Sequence, residues 1–162
     1  MLVENHAGVL SRISGLFSRR GYNIDSLSVG VTEDPKYSRI TVSVYGDERV
    51  IEQIQRQVEK LVDVLNVAEL EPDKAVYREL CLIKVIGGSN IRSEIFSLAD
   101  IFRANIIDVC GECLTVEITG DVSKIKAFIE LMQPYGILEI VRTGLTGIGR
   151  GIPGIVSGKK AE

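Results

Sequence analysis

The feature of this sequence that most constrains its fold is a pattern of apolar residues that occurs once in each half of the chain. In the first half, runs typical of strands and of amphipathic helices follow one another in the order βαββαβ. The same order returns in the second half, where "LTVEITGDVSKIKAF" aligns with "ITVSVYGDERVIEQI" of the first. The repeat therefore predicts two domains of one architecture.

The order βαββαβ is that of the ferredoxin-like fold, in which two helices cover one face of an antiparallel sheet. We therefore predict an α+β protein with two tandem ferredoxin-like domains, over residues 1–71 and 79–145. A proline and several charged residues predict a linker at 72–78. The glycine-rich end of the chain predicts a flexible tail over 146–162.

The turn "ENHAGVL" is the first candidate site. A helix that begins near Gly8 leaves its first backbone N–H groups unpaired, and these groups and the helix dipole suit a carboxylate. Gly8 has no side chain to block a close approach, and Asn5 can either cap the helix or offer its amide to a ligand. The alternative is a capped helix without a ligand. Asn23 favours the ligand site, because it lies where the second strand begins, at a predicted sheet edge.

The segment "GGSNIRSE" begins the first helix of the second half in a similar way. Gly87 and Gly88 precede Asn90 here, whereas Asn5 precedes Gly8 in the first turn. Asn90 is therefore predicted to cap its helix, and a ligand site at this turn is the less favoured alternative.

Cys110 and Cys113 form a C-x-x-C motif, the second candidate site. Redox chemistry of the thioredoxin type needs the first cysteine at a helix N-terminus. A strand pattern follows instead, so the two residues between the cysteines are predicted to form a hairpin turn. Zinc would need two further ligands, and only Cys81 and His6 remain. A structural turn is favoured, with a zinc site shared across a dimer and a small thiol oxidoreductase as alternatives.

The composition excludes several classes of function. The balance of 19 basic and 22 acidic residues disfavours a nucleic-acid partner, and Tyr45 alone on the central strands does not support base stacking. No apolar run is long enough to cross a membrane, and no charged-then-apolar leader precedes the first strand. Three cysteines cannot all pair within one chain, which suits the cytoplasm.

The amino-acid sequence of both halves resembles that of a known family. The runs "LVENHAGVLSRISGLFSRRGYNIDSLSVG", "DPKYSRITVSVYGD" and "LVDVLNV" resemble the ACT domain of the acetolactate synthase (acetohydroxyacid synthase) small subunit. The similarity continues through "RELCLIKV", "FRANIIDV" and "GLTGIGRG" and so covers nearly the whole chain. The runs "LFSRRGYNI" and "DPKYSRITV" are together specific to this family, whereas ACT domains in general share the Asn-x-x-Gly turn.

The resemblance implies a regulatory subunit of a transferase complex, with no catalytic residue and no metal ligand of its own. Such a subunit binds the separate catalytic (large) subunit, raises its activity and confers feedback inhibition by valine or another branched-chain amino acid. No cofactor is expected in this chain, whereas thiamine diphosphate, Mg and FAD are expected in the catalytic partner. A cytoplasmic homodimer is expected, and an amino-acid-sensing ACT protein with another partner is the alternative.

The resemblance also implies an effector site between the two chains of that homodimer. One chain supplies the turn from Asn5 to Leu10, and its partner supplies the two residues at the start of the second strand. The residues expected to bind the effector are Asn5, His6, Ala7, Gly8, Val9, Leu10, Asn23 and Ile24. This location agrees with the carboxylate site that the turn itself predicts.

Overall fold

The structure is a computed structural model that describes residues 1–151 and Ile155. It divides into two compact units, of which one comprises Met1–Val76 with Leu145–Glu162 and the other comprises Tyr77–Gly144. Four α-helices and two antiparallel sheets are present in the described part of the chain, which confirms the predicted α+β class. No helix among these residues is long and apolar enough to cross a membrane.

The N-terminal unit contains the first βαββαβ motif. Its elements are β1 (Leu2–Glu4), α1 (Val9–Arg20), β2 (Ser26–Val31), β3 (Tyr37–Ser43), α2 (Glu48–Val58) and β4 (Val64–Asn66). The antiparallel sheet has the strand order β2-β3-β1-β4, so β2 lies at an edge, as the sequence predicts. The second strand begins at Ser26, three residues after the predicted start at Asn23, because the chain leaves α1 through a turn first.

The helices of this unit pack one apolar face against the sheet. The buried residues of α1 recur at helical spacing, and the helix ends at Gly21, whose φ of 71° glycine adopts without strain. The apolar cluster beneath the helices comprises Val3, Val9, Ile13, Leu16, Phe17, Ile40, Ile54, Val58 and Val64. This core fixes both ends of α1, and therefore also the turn that precedes it.

The second motif forms a sheet of the same kind. Its elements are β5 (Ala75–Ile86), α3 (Arg92–Phe102), β6 (Asn105–Val109), β7 (Cys113–Gly120), α4 (Val122–Met132) and β8 (Ile137–Arg142). The strand order is β6-β7-β5-β8, with all three pairs antiparallel. The helices cover a core that includes Ile83, Val85, Ile95, Leu114, Val116, Ile118, Ile125, Phe128 and Met132.

The Gly-Asp pair that both halves share has a structural cause. Asp47 and Asp121 occupy the N-cap positions of α2 and α4, and each carboxylate accepts from the backbone N–H three residues later. At the preceding glycine a Cβ would lie 2.7 Å from Val50 in one half and 2.6 Å from Lys124 in the other. The repeat therefore preserves a helix start at which a side chain before the cap would displace Val50 or Lys124.

The ends of several predicted segments differ from the structure. β5 begins at Ala75, inside the stretch predicted as a linker. The predicted flexible tail begins with a strand, β9 (Thr146–Gly149), which pairs with β5, and the Arg150 N–H donates to the Lys74 carbonyl at 2.8 Å. Glycine is depleted in strands, so the sequence "TGIG" did not predict this one. Beyond Gly151, all of the predicted tail except Ile155 lies outside the described residues.

The predicted cap at Asn90 is wrong. The N-cap position of α3 is Ile91, and no side chain caps this helix. A backbone turn closes the helix start instead, in which the Ile91 N–H donates to the Gly88 carbonyl at 3.1 Å. Asn90 does not cap α3 because the N-cap position is Ile91, one residue later than predicted.

Candidate functional site

Asn5 ties the turn between β1 and α1 to the loop between β2 and β3. Its backbone N–H donates to the Lys36 carbonyl at 2.7 Å, and its side-chain Nδ2 donates to the Pro35 carbonyl at 2.8 Å. Its Oδ1 accepts from the Ser38 hydroxyl at 3.0 Å. The suggestion that Asn5 caps α1 is wrong, since Gly8 occupies the N-cap position and the Asn5 side chain bonds to β3 and the loop before it instead.

Gly8 precedes α1 with an open surface around it. Its φ is 93°, a left-handed conformation that side chains disfavour, and no side chain caps the helix from this position. A Cβ built on Gly8 would meet nothing within 4 Å. Val9 is buried in the core whereas Ala7, Gly8 and Leu10 are exposed. The helix N-terminus is thus exposed, and its role as a carboxylate site stays a prediction.

Four charged or titratable side chains lie beside this turn. His6 Nε2 lies 3.1 Å from Glu4 Oε2 and 3.2 Å from Asp63 Oδ1, and its Nδ1 lies 2.9 Å from the Ala7 carbonyl oxygen. The Asp63 side chain is 7% exposed, and its other oxygen accepts from the Arg12 guanidinium. These contacts connect α1, β1 and the segment before β4.

The same contacts shift the protonation of two members of the cluster. The hydrogen bond from Arg12 lowers the pKa of the Asp63 carboxyl, against the effect of burial. The hydrogen bond to the Ala7 carbonyl, followed by the charges of Asp63 and Glu4, raises the pKa of His6 above its ordinary value of 6.5. Asp63 and Arg12 were missed in the sequence, where 51 positions separate them and no motif connects them.

Glu4, His6 and Asp63 also resemble a set of metal ligands. Each offers one ligand atom, and these atoms lie within 4.8 Å of one another. The Arg12 guanidinium already occupies Asp63 and would place its positive charge against a cation. Charge pairing therefore accounts for the cluster, and the expectation that this chain has no metal ligand stays a prediction.

Asn23 and Ile24 lie at the other end of α1. Asn23 is exposed and its Nδ2 donates to Asp25 Oδ1 at 2.9 Å, while Ile24 packs against the core. The twelve residues of α1 separate this pair from Gly8, a distance of about 18 Å along the helix axis. One chain therefore brings together Asn5 to Leu10 but does not bring Asn23 or Ile24 to them.

Cys110 and Cys113 flank the tight turn between β6 and β7, which confirms the predicted hairpin. The Cys110 N–H donates to the Cys113 carbonyl at 2.9 Å. The two sulfurs form a disulfide with the Cα atoms 5.2 Å apart, and Cys81 is buried and unpaired. A strand follows the motif, so Cys110 lacks the helix N-terminus that thioredoxin-type chemistry requires.

Two protein-family models match the chain, one in each half. Residues 1–66 match the family model described as the AHAS small subunit-like ACT domain. Residues 78–151 match the model described as the small subunit of acetolactate synthase. Residues 1–66, with their βαββαβ sheet and glycine turn, are therefore an ACT domain.

Individual relatives match over nearly the whole chain. The probable acetolactate synthase small subunit of Methanothermobacter thermautotrophicus is 51% identical over 151 residues, which cover 93% of this chain and 90% of the relative. The acetolactate synthase small subunit of Mycobacterium leprae is 47% identical, with coverages of 96% and 92%. The crystal structure of the small subunit from Thermotoga maritima superposes with a TM-score of 0.87 at 44% identity, covering 94% of this chain and 96% of that one.

The chain belongs to the acetolactate synthase small subunit family, which confirms the resemblance seen in the sequence. It is thus a regulatory subunit of an enzyme complex.

Proposed function

We propose that this chain activates the catalytic subunit of acetolactate synthase in the cytoplasm and confers feedback inhibition by valine or a related branched-chain amino acid. The family supports the catalytic partner. The observation that carries the effector is the exposed, uncapped start of α1 at Gly8, where backbone N–H groups can hold an amino-acid carboxylate. In this proposal thiamine diphosphate, Mg and FAD belong to the catalytic subunit.

The effector site lies between two copies of the chain. Asn23 and Ile24 lie at the far end of α1 from Gly8, so a second chain has to supply them to the turn. Antiparallel pairing of β2 with its copy reverses the strand direction and carries the partner's strand start toward the end of the first chain's β2. That end leads into the loop to which Asn5 is bonded. The geometry of one chain therefore supports a site completed by a homodimer.

The edge strand β2 supports the same dimer. Its residues "SLSVGV" include no proline or lysine, and Val29 and Val31 are 49% and 60% exposed. Unprotected edges of this kind invite pairing with another strand. Two copies related by a two-fold axis give an isologous interface in which each β2 pairs with the other.

Val31→Lys is expected to weaken this dimer at least about tenfold, because a lysine at a sheet edge opposes pairing and the two-fold axis places two of them in one interface. The matched control is Val141→Lys, at a valine that is 53% exposed on β8. Light scattering over a protein dilution series measures both variants. A wild-type monomer at micromolar concentration with valine present would reject the dimer.

Reconstitution with the purified catalytic subunit tests the function. We expect added small subunit to raise the rate of acetolactate formation and to make that rate sensitive to valine. Leucine, isoleucine and the other amino acids are titrated in parallel, because a pocket distinguishes ligands that differ by one methyl or methylene group by only about 1–3 kcal/mol. A lack of activation would reject the proposed partner and favour an ACT protein that serves another one. Activation without any response to amino acids would reject the effector.

A further inference from the structure

We propose that His6, in its imidazolium form, holds the effector turn in its binding conformation, so that binding of an amino-acid effector is coupled to protonation of this side chain. The inference rests on the proposed function and adds a regulatory input to the same site. It makes effector binding depend on pH through one residue of the turn.

The hydrogen-bond partners of His6 require both ring nitrogens to donate. Nδ1 faces the Ala7 carbonyl oxygen at 2.9 Å, and Nε2 faces Glu4 Oε2 at 3.1 Å and Asp63 Oδ1 at 3.2 Å. All three partners are acceptors. A neutral imidazole carries one N–H and one lone pair, so one of its nitrogens would direct a lone pair at an acceptor. The imidazolium satisfies every contact.

The charges around the ring make its protonation state matter to the carboxylate group of the effector. The charged groups that face His6 are Glu4 of β1 and Asp63 before β4, with Arg12 of α1 on the far oxygen of Asp63. With the imidazolium present, two positive and two negative charges balance. Without its proton the cluster carries a net charge of about −1, two residues from the glycine that receives the carboxylate. Deprotonation therefore loosens the turn at Ala7 and also disfavours the effector carboxylate at Gly8.

The direction of the pH effect follows from the pKa of His6. The hydrogen bond to Ala7 and the neighbouring carboxylates raise that pKa above 6.5. The stabilising imidazolium is therefore present below this value and is lost as the pH rises through the raised pKa. Effector binding should be strongest on the acidic side and weaken above pH 6.5, and by linkage a bound effector should promote proton uptake.

Calorimetry of the full-length protein with L-valine as the probe measures this coupling. We expect valine to bind about three- to tenfold more weakly at about pH 8.5 than at about pH 6. Near the midpoint of the His6 titration, the heat of valine binding should depend on the ionisation enthalpy of the buffer, because binding takes up protons. His6 is the only histidine, so its ring C–H resonances report the titration directly by NMR, and valine should raise its midpoint.

Two variants isolate the contribution of His6. His6→Gln cannot gain a charge, so its valine affinity should lose the change between about pH 6 and about pH 8.5. Glu4→Gln keeps the ring and removes one exposed carboxylate, so the NMR midpoint of His6 should fall. A wild-type valine affinity that stays constant across this range, or a midpoint that valine leaves unchanged, would overturn the inference and leave the effector site in place. A failure of L-valine to bind at any pH would overturn both.

Discussion

Gly8→Asp is expected to abolish the inhibition of reconstituted acetolactate synthase by valine while activation by the small subunit survives. The substitution places a negative side chain where the effector carboxylate is proposed to lie. A like-charge contact in a partly closed site costs several kcal/mol, which should raise the inhibitory valine concentration at least about a hundredfold. Inhibition is a coupling between two sites, so it can be lost while docking on the catalytic subunit is retained.

The backbone at Gly8 requires a matched control. Its φ of 93° is strained for any residue with a Cβ, at a cost of about 1–2 kcal/mol to the stability of the ACT domain. Gly8→Asn has the same strain and nearly the same shape as Gly8→Asp but lacks the charge. Both side chains have room, because nothing lies within 4 Å of the Cβ position. The difference between the two variants therefore reports the charge alone.

Asn23→Ala should give an intermediate response. It removes one neutral hydrogen-bonding group from the site, worth about 0.5–1.5 kcal/mol, and should shift the valine curve by roughly three- to tenfold. The measurement is acetolactate formation by the reconstituted enzyme across a valine titration for all three variants. If Gly8→Asp gives the same inhibition curve as Gly8→Asn, the effector carboxylate does not lie at this helix start.

The sequence predicts the architecture well where local patterns decide it. Local pattern accounts for α4, because apolar residues recur at helical spacing in "VSKIKAF" and Asp121 occupies the N-cap position just before it. β7 alternates clearly between buried and less buried residues, and the two residues between Cys110 and Cys113 leave room only for a hairpin turn. The turn at Gly8 is likewise visible, since one glycine before an amphipathic helix is a local signal.

Long-range contacts are the part that the sequence does not reveal. Asp63 reaches Arg12 across 51 positions, and Asn5 bonds to β3 and the loop before it rather than to its own helix. The segment "TGIG" forms β9, but it lacks the alternating β-branched and aromatic residues from which a strand is predicted. In each case the folded sheet brings together residues that are distant in the sequence, and no periodic pattern predicts such contacts. The electrostatics of the candidate site therefore became apparent only from the structure.

The second domain contains the contact with the largest expected effect on stability. The Glu79 carboxylate at the start of the second sheet is 3% exposed, and it accepts two bonds from the guanidinium of Arg142, at 2.8 and 2.7 Å. Arg142→Met would leave this carboxylate without its charged partner. Glu79 is buried but the Arg142 side chain is 44% exposed, so the cost is that of a buried carboxylate left without its charged partner. We expect the free energy of unfolding to fall by about 2–3 kcal/mol.

A second ion pair between the same two strands provides the control. Lys84 lies 3.5 Å from Glu139, whose carboxylate side chain is 62% exposed, in contrast to the buried Glu79. Solvent can therefore replace the lost partner, and Lys84→Met should cost no more than about 1 kcal/mol. Urea unfolding followed by far-UV circular dichroism compares the two variants, and the midpoint of Arg142→Met should lie well below that of Lys84→Met. Adding Glu79→Leu to Arg142→Met should recover most of the loss, because it removes the unpaired carboxylate. Equal midpoints for Arg142→Met and Lys84→Met would mean that solvent stabilises Glu79 without its partner.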